Sequence, residues 1–181
     1  MPLKLFALGT AALAAPLMAQ GPQAPPPAVA AYSAANTSAE RDQTYALHAQ
    51  EGDIYEVAAS RLALQRSRSR QIRSFAQMMI SHHTRSSNEL ARLVRKGPPV
   101  TQANLSEPKS QMLEKLRTSS GAAFEANYVQ GQVSAHEEAL ALHRAYAGTG
   151  GETRLRAFAA RAVPLVESHL ARAKTLRGPS R

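Results

Sequence analysis

From Ser38 onward, apolar residues recur every three or four positions, and no stretch alternates with the two-residue period of a strand. The pattern predicts helix A over about 38–65, with Gly52 as a weak point, and helix B over about 69–96. Gly97-Pro98-Pro99 supplies the stop for helix B, since glycine ends a helix and proline cannot continue one. A short helix follows over about 107–117, then helix C over about 121–147. Gly148-Thr149-Gly150-Gly151 makes a turn, and helix D runs over about 152–176 with Pro164 inside it, where a kink is expected. Asn36-Thr37-Ser38 and Glu40 read as the first cap. Four long helices of 25 to 28 residues reach about 40 Å each at 1.5 Å per residue. The predicted fold class is all-α: a ferritin-like up-down four-helix bundle with a short extra helix before the third long one.

The apolar rows contain residues that do not belong in a helical core. On helix B the row is Ile72, Phe75, Met79, His83, Ser86, Leu90, Leu93. Helix C carries Val129, Val133, His136, Leu140, His143, and helix D carries Leu155, Phe158, Ala162, Leu165, His169, Ala173, Leu176. On helix A, Glu56 is the one large polar group on a small-residue face of Ala49, Gly52, Ala59 and Ala63. A buried imidazole or carboxylate costs free energy unless it is partnered. A histidine taken singly is more often a core imidazole bonded to a carbonyl or hydroxyl. Four such groups, one per helix, could satisfy one another by holding one metal ion.

The candidate metal ligands are therefore Glu56, His83, His136 and His169. Three imidazoles and a carboxylate suit a divalent transition metal: Zn, Cu, Fe, Mn or Ni. A di-iron site needs Glu three residues before His on two helices. Ile80 and Val166 hold those positions, so a mononuclear site is expected. Tyr55, Tyr128, Glu138 and Glu167 are candidates for orienting the imidazoles. His82 lies one step off the row, at the bundle edge or in solvent. His143 follows His136 by a heptad and is either an outer partner or exposed. His48, two turns before Glu56, is expected near one end. Met78 and Met79 read as core filler.

Composition narrows the setting. Met1 to Ala19 has one early cation, Lys4, and then an apolar run too short for a membrane span, which reads as a secretory signal. Residues 20–37 are Pro/Ala-rich and are expected to form an extended, disordered linker. The bundle is expected over 38–177, with a tail at 178–181. The chain has no Cys, so disulfides and thiolate ligands are excluded. The formal charge is +9, or +8 once Lys4 leaves with the signal. Arginines scattered over the helices suit anionic envelope lipid or another polyanion, or simply a solvated surface. Few aromatics and no recognised motif argue against nucleic acid. Nothing in the mature chain resembles a transmembrane helix. No nucleophilic triad, nucleotide-binding glycine loop or haem motif is present.

The stretch Phe75-Ala76-Gln77-Met78-Met79-Ile80-Ser81-His82-His83-Thr84, followed by Asn88-Glu89-Leu90, resembles the second-helix signature of domain-of-unknown-function family 4142. Gly52-Asp53-Ile54-Tyr55-Glu56-Val57 resembles its first-helix motif, and Gln132-Val133-Ser134-Ala135-His136 its third. Leu155-Arg156-Ala157-Phe158-Ala159, with Pro164 and His169-Leu170, resembles the fourth. The resemblance covers about 38–176. It implies an exported bacterial protein with a ferritin-like fold, of a group labelled outer-membrane proteins, and no settled activity. This chain carries His82-His83 where Asp-His is common in that family. Two functional expectations follow: a periplasmic metal-binding protein, or a non-catalytic envelope interaction module whose histidines bond among themselves. Whether the chain is an enzyme is left open.

Overall fold

The computed structural model describes residues 24–94 and 105–176. Among them it contains six helices and no strand: α1 Pro27–Ala34, α2 Ser38–Arg66, α3 Arg70–Leu93, α4 Glu107–Thr118, α5 Gly121–Thr149 and α6 Thr153–Thr175. The expected signal, the Gly97-Pro98-Pro99 stop and the tail lie outside the described residues.

Local chemistry sets the boundaries. Thr37 and Glu40 form a reciprocal capping box at the start of α2, satisfying two amides that the helix leaves unpaired. The Ser69 hydroxyl caps α3 by accepting from the Ile72 amide. Between α2 and α3, the buried Glu125 carboxylate accepts from the Ser67 hydroxyl at 2.7 Å, so α5 braces that turn. Gly121 opens α5 with φ +54°, which L-side chains rarely adopt. The Glu152 carboxylate accepts from the Leu155 amide at 2.6 Å and caps α6. α2 passes through Gly52 unbroken, and α6 through Pro164. Proline has no amide to offer the Ala160 carbonyl, but Ala160 is exposed, where water can replace the bond.

One expectation is corrected. The segment read as an extended, disordered linker contains α1. Pro27 stands in its first turn, where a missing amide costs nothing, and the rest is mostly alanine, the strongest helix former. α1 buries Ala28 and Tyr32, and the Tyr32 hydroxyl bonds the Thr149 hydroxyl at 2.7 Å.

The four long helices neighbour one another in a ring, α2–α3–α6–α5. Their interior is layered. One apolar cluster centres on Tyr55, Phe75, Met79, Phe124 and Tyr128, near the α2–α3 turn. The other centres on Tyr45, Leu90, Leu142, Tyr146 and Phe158, near the α5–α6 turn. Fully burying a side chain of this kind contributes roughly 1.5–3 kcal/mol. Between the two clusters all four helices contribute polar groups: Asp53 and Glu56, His82 and His83, Gln132 and His136, and His169.

Candidate metal centre

Each ring of the middle layer is fixed by its outer nitrogen. His136 Nδ1 donates to the Gln132 carbonyl, one turn earlier on α5, at 2.7 Å. His83 Nδ1 donates to Asp53 Oδ1 of α2 at 2.8 Å. A 2.8 Å hydrogen bond joins His169 Nε2 to His82 Nδ1. The Gln132 carbonyl can only accept, so the His136 proton sits on Nδ1 and leaves a lone pair on Nε2. The Asp53 carboxylate draws the His83 proton to Nδ1 in the same way, while either ring can donate in the His82–His169 bond. The inner atoms, His83 Nε2, His136 Nε2 and His169 Nδ1, are buried and have no hydrogen-bond partner among the described residues.

The three rings face one another. Their centroids are 5.6 Å apart for His83–His136, 5.6 Å for His83–His169 and 5.4 Å for His136–His169. One ligand atom from each lies within 4.8 Å of the others. Nitrogens placed about 2.0–2.1 Å from a common point lie no more than about 4.2 Å apart. In a tetrahedral site that spacing is about 3.4 Å, so the widest pair closes by up to about 1.4 Å to complete a three-nitrogen coordination set. With the inner nitrogens deprotonated, the three rings turn three lone pairs toward one another, an arrangement that a single cation satisfies.

Glu56 is 2% exposed, and both carboxylate oxygens lack a hydrogen-bond partner among the described residues. Oε1 lies 3.4 Å from His136 Nδ1, the outer nitrogen already committed to Gln132. Glu56 lines the same cavity as the three rings but stands outside their tight grouping. That cavity is about 50 Å³, room for an ion and one or two waters. His48, Ser86, Lys109, Glu138 and His143 complete its polar wall.

Electrostatics separates the members. Burial, reinforced by the charge of His83, holds His136 near a pKa of about 3, and His169 is held at about 3 for the same reasons. Both are neutral, and so competent as ligands, well below neutrality. Burial also works against charge on His83, but the bond from Asp53 and the charges of Asp53 and Glu56 outweigh it and raise its pKa. Burial lifts Glu56 to about 7, against the opposing pull of His83. A buried carboxyl poised near neutrality can take up or release a proton in the cavity it lines.

The remaining expected residues lie as follows. His82, in the helix seam, bonds the outer nitrogen of His169. His143 is buried and bonded through Nδ1 to the Tyr45 hydroxyl at 3.0 Å, facing the cavity away from the triad. Glu138 accepts from Lys109 Nζ at 2.7 Å and borders the cavity. Tyr128 bonds the Ser60 hydroxyl at 3.0 Å, and Phe75 packs against both Tyr128 and His136. The Tyr55 hydroxyl lies against Gly131 in the neighbouring apolar cluster. Glu167 is on the surface, paired with Arg144. None of these last three bonds a triad imidazole.

Asp53 is the residue that sequence reasoning passed over. It stands three positions before Glu56, hence on the same helix face, and that spacing was the available signal. It gives His83 a carboxylate from α2, although position 82 carries histidine.

No curated protein and no solved structure matches this chain. The sequence model of one family, described as Domain of unknown function (DUF4142), matches residues 26–176, which takes in all six helices. The chain therefore belongs to the DUF4142 family.

Proposed function

We propose that this protein binds one divalent transition metal ion in the centre of a ferritin-like four-helix bundle. His83, His136 and His169 are the ligands, and Glu56 is either a fourth ligand or an acid–base partner beside the ion. The observation that carries the reading is the set of three partnerless inner nitrogens, each on a ring whose outer nitrogen is already bonded. Leaving a buried acceptor unsatisfied costs about 1–3 kcal/mol each, so a protein using these rings only for packing would carry that penalty three times. Zn, Cu, Fe, Mn and Ni all accept such a ligand set.

In this reading the chain is exported to the periplasm. The support is the Met1–Ala19 segment, an early cation followed by an apolar run. The basic helix surface suits association with an anionic envelope, and the role is metal handling or protection against envelope stress. The test is elemental analysis and thermal melting, with and without chelator, on wild type and His136→Ala. One equivalent of metal and a chelator-sensitive melting shift, both lost in the variant, support the site. A wild type that takes up no supplied divalent ion leaves a metal-free interaction module as the reading.

A further inference from the structure

Among the four seams between neighbouring long helices, the one between α3 and α6 is the most thinly packed. A surface cavity opens there, and it shares His82, Ser86, Ala162 and Leu165 with the buried cavity that holds the three inner nitrogens. The outer cavity therefore lies directly over the inner one, with these four side chains between them. Ser86 and Ala162 are small, so little side-chain volume closes the seam. His82 sits in the opening and bonds His169 directly. A species arriving by this route therefore meets the triad from its α3–α6 side.

The lip of the outer cavity is charged. Arg161 is paired with Glu89 at 2.7 Å, which neutralises both. Arg85, on the same lip, is exposed and has no ion pair among the described residues. The opening thus has a net cationic rim above a low-dielectric interior. Such a rim raises the local concentration of anions and repels a hydrated divalent cation. A site built for repeated uptake and release of metal would want the opposite sign at its door. Three imidazole ligands also leave a coordination position free, as in metal sites that take an exogenous ligand.

Resting on the metal-site reading above, we propose that the ion is resident and that the centre accepts a small inorganic anion as an added ligand, drawn in between α3 and α6 by Arg85. The inner cavity of about 50 Å³ limits that ligand to a few heavy atoms and excludes nucleotides and sugar phosphates.

The experiment uses the full chain loaded with Co(II), whose visible spectrum reports coordination, titrated with sodium azide. The expected result is a saturable spectral change that weakens with ionic strength. Arg85→Ala should raise the apparent dissociation constant at least threefold, leaving Co(II) stoichiometry and the azide-free spectrum unchanged. Arg68→Ala, a remote exposed arginine, should leave the constant unchanged. Ala162→Leu, which fills the seam, should slow azide binding. Stoichiometric Co(II) with no azide response overturns the anion proposal alone, as does an Arg85→Ala curve that superimposes on wild type. Failure of the wild type to bind Co(II) overturns the metal site itself and this inference with it.

Discussion

The middle layer of the molecule and the apolar layer near the α5–α6 turn are built from similar materials and treat them in opposite ways. In the apolar layer the Tyr45 and Tyr146 rings stack at 3.8 Å, and every polar tip is satisfied. The Tyr45 hydroxyl meets His143, that of Tyr146 donates to Asp42 at 2.7 Å, and that of Tyr32 meets Thr149. In the middle layer, by contrast, the inner nitrogens of three histidines, both oxygens of Glu56, one oxygen of Asp53 and the side-chain amide of Gln132 lack partners among the described residues. Folding stability alone explains the first layer. The second sacrifices stability at one place, as functional sites do when local rules are broken within an otherwise consistent fold.

The contrast breaks most visibly at His136. Saturating wild type with metal at about a thousand times the dissociation constant should stabilise it by about 4 kcal/mol. Differential scanning calorimetry with and without zinc should show that gain in wild type and none in His136→Ala. An equal shift in both would place the metal elsewhere.

Asp53→Asn sharpens the assignment of outer partners. Asparagine can still accept from His83 Nδ1 but lacks the charge, so metal affinity should fall about 10- to 100-fold with the fold intact. A competition titration against a chromophoric chelator reads this directly. Unchanged affinity would reduce Asp53 to a packing residue.

Gly131→Ala tests the apolar layer on the opposite side of the middle layer, near the α2–α3 turn. A Cβ there would lie 2.4 Å from the Tyr55 hydroxyl oxygen, inside the apolar cluster near the α2–α3 turn. Overpacking should cost about 1–3 kcal/mol by denaturant melting, with metal affinity unchanged. Coupled loss of both would mean that the layers are not independent.

Acid separates the layers more gently. His136 and His169 are held at about 3 and His143 at about 4, against an ordinary 6.5, so between those limits the unfolded chain binds three protons that the folded chain refuses. Stability therefore falls as pH drops below about 6.5. Glu56 offsets part of this: held at about 7 against 4.5, it protonates first in the folded state. The raised pKa values of His83 and Asp53 act in the same direction as Glu56, since the folded state takes up those protons ahead of the unfolded chain. Each net proton costs up to about 1.4 kcal/mol per pH unit. The melting temperature of chelator-treated protein should thus be lower at pH 4.5 than at pH 6.5. A flat or rising profile would contradict buried neutral imidazoles.

The smallest effect belongs to the surface. Glu167→Gln breaks an exposed pair with Arg144 and should change stability by less than about 1 kcal/mol, with no change in metal affinity.

Much of this was legible in the chain because helix and core share one period. Rows such as Ile72–Phe75–Met79–His83 locate a histidine on the buried face without coordinates, and three such rows on antiparallel neighbours bring three rings to one level. Depth along the axis was harder to read. Tyr55 and Tyr128 are buried near the site in sequence, but their side chains reach into the adjoining apolar layer. Glu167 is two positions from His169, which turns it about 160° away around the helix, to the surface. Glu56 was identified as buried, but its distance from the triad depends on side-chain reach, which periodicity does not encode. Asp53 and α1 were missed for different reasons. One was a carboxylate hidden beside a more obvious one. The other was a helix whose proline-rich start disguised its alanine-rich body.

X-ray absorption on zinc-loaded protein tests the central claim most directly. The account predicts three imidazole nitrogens at about 2.0–2.1 Å, with one of them lost in His169→Ala. A first shell of oxygen alone, or one indifferent to His83, His136 and His169, would contradict it.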